Sequence, residues 1–581
     1  MSTERLLAVA RGDVPADLAL RNARIVNVFT SEVLEGVVAV AGDRIAVVGG
    51  DISSAKAELD LAGSFLLPGF IDAHMHVEST MLPPSEFIRL AAPHGTTGVV
   101  LDPHEVANVL GADGIRFLLD DARELPINAM FALSSCVPAS HLETSGACLE
   151  ADDLSPLFND PSVVALAEVM NFPGVVAAHP GLLEKIRIGL SARGVADGHA
   201  PGLRGRALQA YCAAGISSDH ECTTAEEALE KVRLGMMVYI REGSAARNLD
   251  AILPAVTPAN AHRFCFCTDD RHPADLQREG HIDHVLRRAI TLGLDPITAV
   301  RMATLNPARH YGRRDLGAIA PGYKADLVVC DDLCCPRPRL VYHHGRLVAR
   351  DGAYAFSPNP AGEPRAAPPS RPTKPLALPA TLSESSFEIP SSRTCPRIRV
   401  IGMNPHQLTT AALELPARSE RGRLVSDADR DILKLAVIER HRGSGNIGIG
   451  FVQGFGLRAG AIASTVGHDS HNLTVVGVND RDMFVAAREL ERVGGGQCVV
   501  RDGRVLAVLP LPIAGLMSDQ PAPTVIAQQD DLLAAAASLG CPHRDPFMPL
   551  SFLPLPVIPS LKLTDLGLVD VHRFEIVALE L

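Results

Sequence analysis

The chain contains no tryptophan, and aromatic residues make up only 4% of its 581 positions. Its packing must therefore rest on alanine, valine, leucine and isoleucine. No apolar run reaches the ~18 uninterrupted residues that mark a membrane-spanning helix. Long runs of lysine or arginine are also missing, and the net charge is −13. The basic stripe of a nucleic-acid binder is thus absent. Met1-Ser2-Thr3-Glu4-Arg5 lacks the basic-then-apolar layout of a secretory signal, so a cytoplasmic location is expected. The twelve cysteines never take C-x-x-C spacing. That excludes a zinc knuckle and argues for reduced, mostly buried thiols in a cytoplasmic protein.

What remains is a globular composition, 47% apolar and 21% charged. Eight apolar segments read as buried strands, and several end in metal-ligand residues. Leu66-Leu67-Pro68-Gly69-Phe70-Ile71 runs into Asp72-Ala73-His74-Met75-His76. Gly98-Val99-Val100-Leu101 ends in Asp102-Pro103-His104-Glu105, and Ile127 to Leu133 ends in Ser134-Ser135-Cys136. Val163 to Ala167 ends in Glu168, and Gly194-Val195-Ala196 in Asp197-Gly198-His199. Gly215 to Ser218 ends in Asp219-His220-Glu221, Met236 to Ile240 in Arg241-Glu242-Gly243-Ser244, and Phe264 to Cys267 in Thr268-Asp269-Asp270. Segments suited to helices lie between them, such as Ala225 to Leu234 and Ile282 to Leu292. Apolar runs alternating with helices describe parallel strands buried on both faces. The span 66–309 is close to the ~250 residues of a (β/α)8 barrel, whose active site lies at the C-terminal strand ends.

The expected class is α/β: a TIM-like barrel at 66–309, with a small β-sandwich domain built from 1–65 plus 310–355. Arg24 to Val28, Gly36 to Val40, Arg44 to Val48, Ala325 to Cys330 and Leu340 to Val348 supply its strands. Residues 356–390 hold nine prolines and read as an extended linker. Residues 391–581 have an α+β texture. Strands are expected at Arg397 to Ile401, Ile432 to Ile438, Ile447 to Val452 and Leu473 to Val478. Helices are expected at Met483 to Arg492 and Asp530 to Leu539.

In a strand, residues i and i+2 face the same way, so His74 and His76 can meet one ion. Two divalent ions suit the full set. His74, His76 and Asp269 would take one, His199 and His220 the other, and Glu168 would bridge them. Water held there would lose a proton readily, and Asp269 would act as general base. Histidine and carboxylate suit zinc, iron and manganese alike.

Pro68 to His76 resembles the first-strand signature of the amidohydrolase superfamily, as does Lys324-Ala325-Asp326-Leu327-Val328. Many two-metal members carry a carboxylated lysine on strand 4, where this chain has Glu168. In that it departs from hydantoinases and dihydroorotases. It is similar instead to the bacterial adenine deaminase branch. The likeness lies in His76-Val77-Glu78-Ser79-Thr80, Asp102 to Glu105, Asp197 to Gly202, Ser218 to Glu221 and, far downstream, Thr465-Val466-Gly467-His468-Asp469-Ser470-His471-Asn472.

The resemblance implies hydrolytic deamination of adenine to hypoxanthine and ammonia by a metal-bridging hydroxide. It also implies Mn2+ or Fe2+ (with Zn2+ an option), purine salvage and a homodimer or larger homo-oligomer. P-C-x-x-C, the mark of the small zinc deaminases, does not occur. Hydroxide attack on C6 requires a proton at N1 and another at the amino group, so a second acid is expected. His104 is its candidate, with Glu105 and Glu221 behind it. Each has a plainer reading: His104 as a partner orienting a ligand, Glu105 as a helix-start carboxylate, Glu221 as pointing away from the site.

Glu78, Asp102, Glu105, Arg241, Ser244, His468, Asp469 and His471 are candidate adenine contacts. Arg241 equally suits a structural ion pair, and the 468–472 run equally suits a hydrogen-bonded turn. The alternatives are an amidohydrolase acting on a different purine or a cyclic amide, and a non-catalytic scaffold relative. The second is disfavoured by the intact ligand set.

Overall fold

The computed structural model describes residues 2–244, 246–356, 371–393, 396–404 and 407–581. Eight parallel strands form its centre. Phe70–Met75, Thr96–Leu101, Asn128–Ser134, Val163–Val169 and Ala196–Gly198 hydrogen-bond in sequence order. Ser218–Asp219, Met237–Arg241 and Phe264–Cys267 form a second arc. Backbone bonds bridge both seams. Ser217 N donates to Ala196 O at 2.9 Å, and Asp269 N donates to His74 O at 3.0 Å. The strands are buried along their lengths, as their near-continuous apolar runs require.

One face of these strands packs with the surrounding helices in the largest core. Alternate positions such as Ile71, Ala73, Val100, Met130, Ala132, Tyr239, Cys265 and Cys267 fill the interior. The carboxylate of Asp197 is buried beside that layer. It accepts from the hydroxyls of Ser218, Tyr239 and Tyr311 at 2.5, 2.7 and 2.5 Å. A carboxylate this deep is tolerated because donors from several elements surround it. In return it ties the fifth, sixth and seventh strands together below the barrel mouth.

The apolar run at Leu66 to His76 serves two sheets rather than one strand. Phe65–Pro68 pairs with Leu327–Cys330 outside the barrel, and the barrel strand starts at Phe70. Gly69 makes the break possible, since a Cβ there would lie 2.0 Å from Thr97 Oγ1. The outer sheet has nine strands drawn from both flanks of the barrel, between Ala16 and Tyr354. Its core contains Leu20, Ile25, Val38, Ile45, Leu66 and Leu327. The run Leu340 to Val348, expected as one strand, is a hairpin of Leu340–His343 and Arg346–Arg350. His344 and Gly345, at φ 50° and 76°, take the left-handed conformations of a two-residue turn.

Part of the expected 356–390 linker, residues 357–370, lies outside the described residues. The rest of that stretch is not an extended linker: Leu376, Leu378, Leu382 and Phe387 are buried against the helix Asp480–Val493, because these apolar side chains find a partner face there. The C-terminal region is built on an eight-stranded sheet containing Arg397–Met403, Ile432–Ile438, Ile447–Gln453 and Leu473–Gly477. The helix Asp480–Val493 is amphipathic, capped by Asn479, and buries Met483, Ala486, Ala487 and Leu490. The longer helix Ala522–Ser538 packs into a different core through Val525 and Leu532. That core also takes in Met81 and Leu82 from the barrel. The C-terminal sheet is therefore docked on the barrel, with Ser518 N donating to Met81 O at 2.8 Å and Ala522 N to Glu86 at 3.1 Å. Among the described residues no helix is long and apolar enough to cross a membrane.

Gly198 offers a test of how tightly the mouth is packed. An added Cβ would lie 2.4 Å from Ser218 O and 2.7 Å from Ile216 Cγ2. Gly198→Ala is expected to destabilise the protein by about 1–3 kcal/mol through overpacking. Thermal and urea unfolding followed by circular dichroism will check it, and an unchanged midpoint would contradict this packing.

Candidate active site

The ligand-type residues gather at the C-terminal ends of the barrel strands. His74 is fully buried and His76, Glu168, His220 and Asp269 nearly so. Glu168 stands in the middle. Its Oε1 lies 3.2 Å from His76 Nε2 and 3.7 Å from His74 Nε2. Its Oε2 lies 2.6 Å from His199 Nδ1 and 3.4 Å from His220 Nε2. Asp269 Oδ1 closes the first group, 3.1 Å from His76 Nε2 and 3.5 Å from His74 Nε2. The two oxygens of one carboxylate thus face two separate sets of imidazoles.

Neighbouring elements hold these groups in place. His76 Nδ1 donates to Asp102 O at 3.1 Å, which leaves its Nε2 lone pair facing the carboxylates. Ser135 Oγ donates to Glu168 O at 2.8 Å. Beneath His74, Asp72 accepts from His74 N at 3.2 Å and from Thr268 Oγ1 at 2.6 Å, with His281 Nε2 3.0 Å away. Lys231, wholly buried, donates to Ala200 O and to Asp219 at 2.8 and 2.9 Å. It clamps the residue after His199 to the residue before His220. Asp269 itself has φ 59°, an uncommon backbone state for a non-glycine residue, which the packing around it must sustain.

The electrostatics are those of a cation site. Burial opposes charge on the imidazoles. Asp269 and Glu168 nevertheless raise His76 well above its ordinary value, and Glu168 and Asp269 raise His220 to about 9. Burial also opposes ionisation of Glu168, but His199 and His220 hold it well below the usual carboxylate range. For Asp269 the same burial is outweighed by Arg241 and by His74 and His76. His74 Nδ1 and Nε2 and His220 Nδ1 are buried without a hydrogen-bond partner among the described residues. Buried orphans of this kind call for an explanation. Groups such as His74–His76–Asp269, His74–Glu168–His220 and His199–His220–Glu221 bring their ligand atoms within 4.8 Å of one another. Imidazoles and ionised carboxylates at this density fit divalent metal ions, which would take the place of the imidazolium protons.

The remaining candidates fall around this centre. His104 Nδ1 is 3.2 Å from Asp102 Oδ2, and its Nε2 is 3.4 Å from Glu105 and 3.9 Å from Asp469. Burial lowers His104, yet Asp102 and Glu105 raise it well above its ordinary value. Glu105 also receives His468 Nδ1 at 2.7 Å and pairs with His471. The C-terminal run thus reaches into the barrel mouth. Asp469 is pushed up to about 6 by burial, with His104 opposing.

Arg241 takes up its ion-pair alternative, donating to Asp269 Oδ2 at 2.7 Å and to both oxygens of Glu221. Four of the candidate adenine contacts, Glu78, Asp102, Ser244 and His471, do not line the cleft; Asp102 and His471 stand behind it against His104 and Glu105. Ser244 donates to Asp275 at 2.7 Å and accepts from His272 N, so its hydroxyl is occupied in the loop. Glu78 accepts from Val106 N at 3.1 Å, at the start of the helix His104–Leu110. Glu221, expected to point away, lines the cleft. The strand ends at Asp219, and Glu221 N bonds back to that side chain at 3.0 Å, so strict alternation lapses there.

The sequence reading missed the apolar side of the cleft. Leu408, Phe552, Leu555 and Ile558 of the C-terminal region line it, with Met170 from the barrel. The proline-punctuated apolar run from Phe547 to Ile558 was the available signal. Asp72 was missed too, although it stands two residues before His74 in the same strand.

Residues 65–356 match the amidohydrolase family, and residues 407–575 match the adenine deaminase C-terminal domain. A protein of Desulfatibacillum aliphaticivorans named adenine deaminase is 50% identical over 579 residues, covering 100% of both chains. One of the same name from Nitratidesulfovibrio vulgaris strain Hildenborough is 50% identical over 571 residues, 98% of this chain and 97% of that one. Another from Methanothrix thermoacetophila is 46% identical over 574 residues, 99% of each. With both family matches in place and similarity running end to end, the chain belongs to the adenine deaminase family of amidohydrolases.

Proposed function

We propose that the protein hydrolyses adenine to hypoxanthine and ammonia. The reading is carried by one observation: the segment matching the adenine deaminase C-terminal domain completes the cleft. His468, Asp469 and Phe552 line it together with Glu168 and Asp269. A cyclic-amide hydrolase of the lysine-dependent kind is disfavoured by a glutamate at position 168.

His74, His76 and Asp269 would hold one divalent ion, His199 and His220 a second, and Glu168 would reach both. Mn2+ or Fe2+ is our proposal for their identity. Such ions acidify water and polarise the bond under attack.

The protein's own groups move the protons. Adenine lies with C6 against Glu168 and Asp269. The water oxygen bonds to C6 as Asp269, kept ionised by Arg241, takes one of its protons. Asp269 passes that proton to the exocyclic nitrogen, and the C6–N bond breaks to release ammonia. N1 gains a proton from His104, whose charged form Asp102 and Glu105 favour. The water's second proton restores His104, so water supplies both hydrogens that the products gain. His468 and Asp469 hold the ring edge and keep bulk water out. We further propose a cytoplasmic homodimer or larger homo-oligomer acting in purine salvage.

In manganese-loaded enzyme, Glu168→Gln and Asp269→Asn should each lower kcat on adenine by at least ~10²-fold. Glu168→Gln should also reduce bound metal, measured by elemental analysis. Ammonia release will be compared across adenine, adenosine, guanine, cytosine and a hydantoin. Turnover of another compound in preference to adenine would sink the substrate assignment.

A pH profile tests Arg241. Its positive charge favours ionised Asp269, so Asp269 stays a proton acceptor as pH falls. Arg241→Met removes that charge and raises the carboxyl's pKa. The acid limb of kcat/KM should move to higher pH, and an unmoved limb would remove Asp269 from the role of base.

A further inference from the structure

The cleft has two unlike sides. The barrel side carries carboxylates and imidazoles, whereas the C-terminal side presents Leu408, Phe552, Leu555 and Ile558. Met548, Phe552 and Leu555 form a small apolar cluster of their own, with Leu408, Val557 and Ile558 packed on it. Phe552 and Leu555 are 7% and 3% exposed. The wall is also held rigidly. The Phe552 ring stacks on His468 with centroids 4.2 Å apart and planes 16° from parallel, and His468 is fixed by Glu105.

Behind the wall lies Lys562, wholly buried. Its ammonium donates to Phe552 O at 2.8 Å and to Leu408 O at 3.0 Å. It forms no ion pair among the described residues, and burial pushes it down to about 7. An ammonium buried on carbonyls alone is unfavourable. Here its two partners belong to two residues of the wall.

The purine's shape gives the wall a consequence. In the reading above, C6 lies against Glu168 and Asp269. N9 is on the other ring, turned away from the ligands, and in this reading it meets the apolar C-terminal residues that line the same cleft. A hydrogen at N9 fits against close-packed apolar groups, but a methyl or a ribose does not. We infer that Phe552, Leu555, Ile558 and Leu408 form a steric wall that admits the purine free base and rejects N9-substituted purines, nucleosides above all. Lys562 is a positioning residue that holds Phe552 and Leu408 in that wall. The inference rests on the proposed deamination of adenine at this site.

The test is ammonia release by full-length, manganese-loaded enzyme from adenine, 9-methyladenine and adenosine. The wild type should favour adenine over 9-methyladenine by more than ~100-fold in kcat/KM. Phe552→Ala and Leu555→Ala should each narrow that ratio by at least ~10-fold, the scale of steric discrimination in an apolar pocket. Lys562→Met should narrow it in the same direction, raising KM for adenine more than it lowers kcat. Should Lys562→Met fail to fold, the two wall variants decide alone.

Equal turnover of adenine and 9-methyladenine by the wild type would overturn the wall and leave the deaminase reading standing. So would an unchanged ratio in folded Phe552→Ala and Leu555→Ala proteins of normal metal content. A metal-loaded wild type that releases no ammonia from adenine would overturn the deaminase reading, and the wall with it.

Discussion

Glu168 is the residue on which the rest of the site depends. A carboxylate that deep is unfavourable unless positive charge surrounds it. His74 and His76 approach one oxygen, His199 and His220 the other. Four strands must therefore end at the same level, with their loops held in place. Much of the buried polar structure nearby follows from that demand. Asp72 fixes His74 from below, Asp102 O orients His76, Ser135 holds the Glu168 backbone, and Lys231 clamps the His199 and His220 loops. Each support is itself paired, as buried polar groups must be.

The second constraint is closure. A barrel mouth alone is open to water, and here the C-terminal region covers it. It does so with polar groups aimed inward and apolar groups packed beside them. Asn472 reaches Thr144 O at 2.8 Å, Thr144 N reaches Asp565 at 2.9 Å, and Arg278 pairs with Asp530 at 2.6 Å. These contacts join the two regions around the cleft. His468 belongs to both sides, bonded to Glu105 of the barrel loop and stacked on Phe552 of the cover. A covered site of low polarity strengthens the electrostatic interactions within it.

Much of the candidate site was legible in the sequence. Buried parallel strands read as apolar runs, and a histidine or carboxylate at the end of such a run has few other reasons to be there. His74, His76, Glu168, His199, His220 and Asp269 were visible on that ground. The strands Ile432–Ile438 and Ile447–Gln453 and the helix Asp480–Val493 were likewise written in local periodicity. Ser244 and Glu221 were not legible, because each lies past the end of its strand, where side-chain direction no longer follows alternation. Ser244 turned to Asp275, and Glu221 turned into the cleft beside Arg241.

The sequence by itself determined the class of fold, the set of candidate ligand residues and their distribution over successive strands, since all three follow from short-range pattern. Tertiary structure alone decided which partner Arg241 takes, and that Phe552 and Leu408 face a barrel loop hundreds of residues away in the chain. It also decided the break at Gly69, where one apolar run serves two sheets. The physical reason is the same in each case. Residue type and spacing report what a segment can bury or bind, whereas its partner is chosen by contacts between distant segments, and those exist only once the strands have closed and the C-terminal sheet has docked.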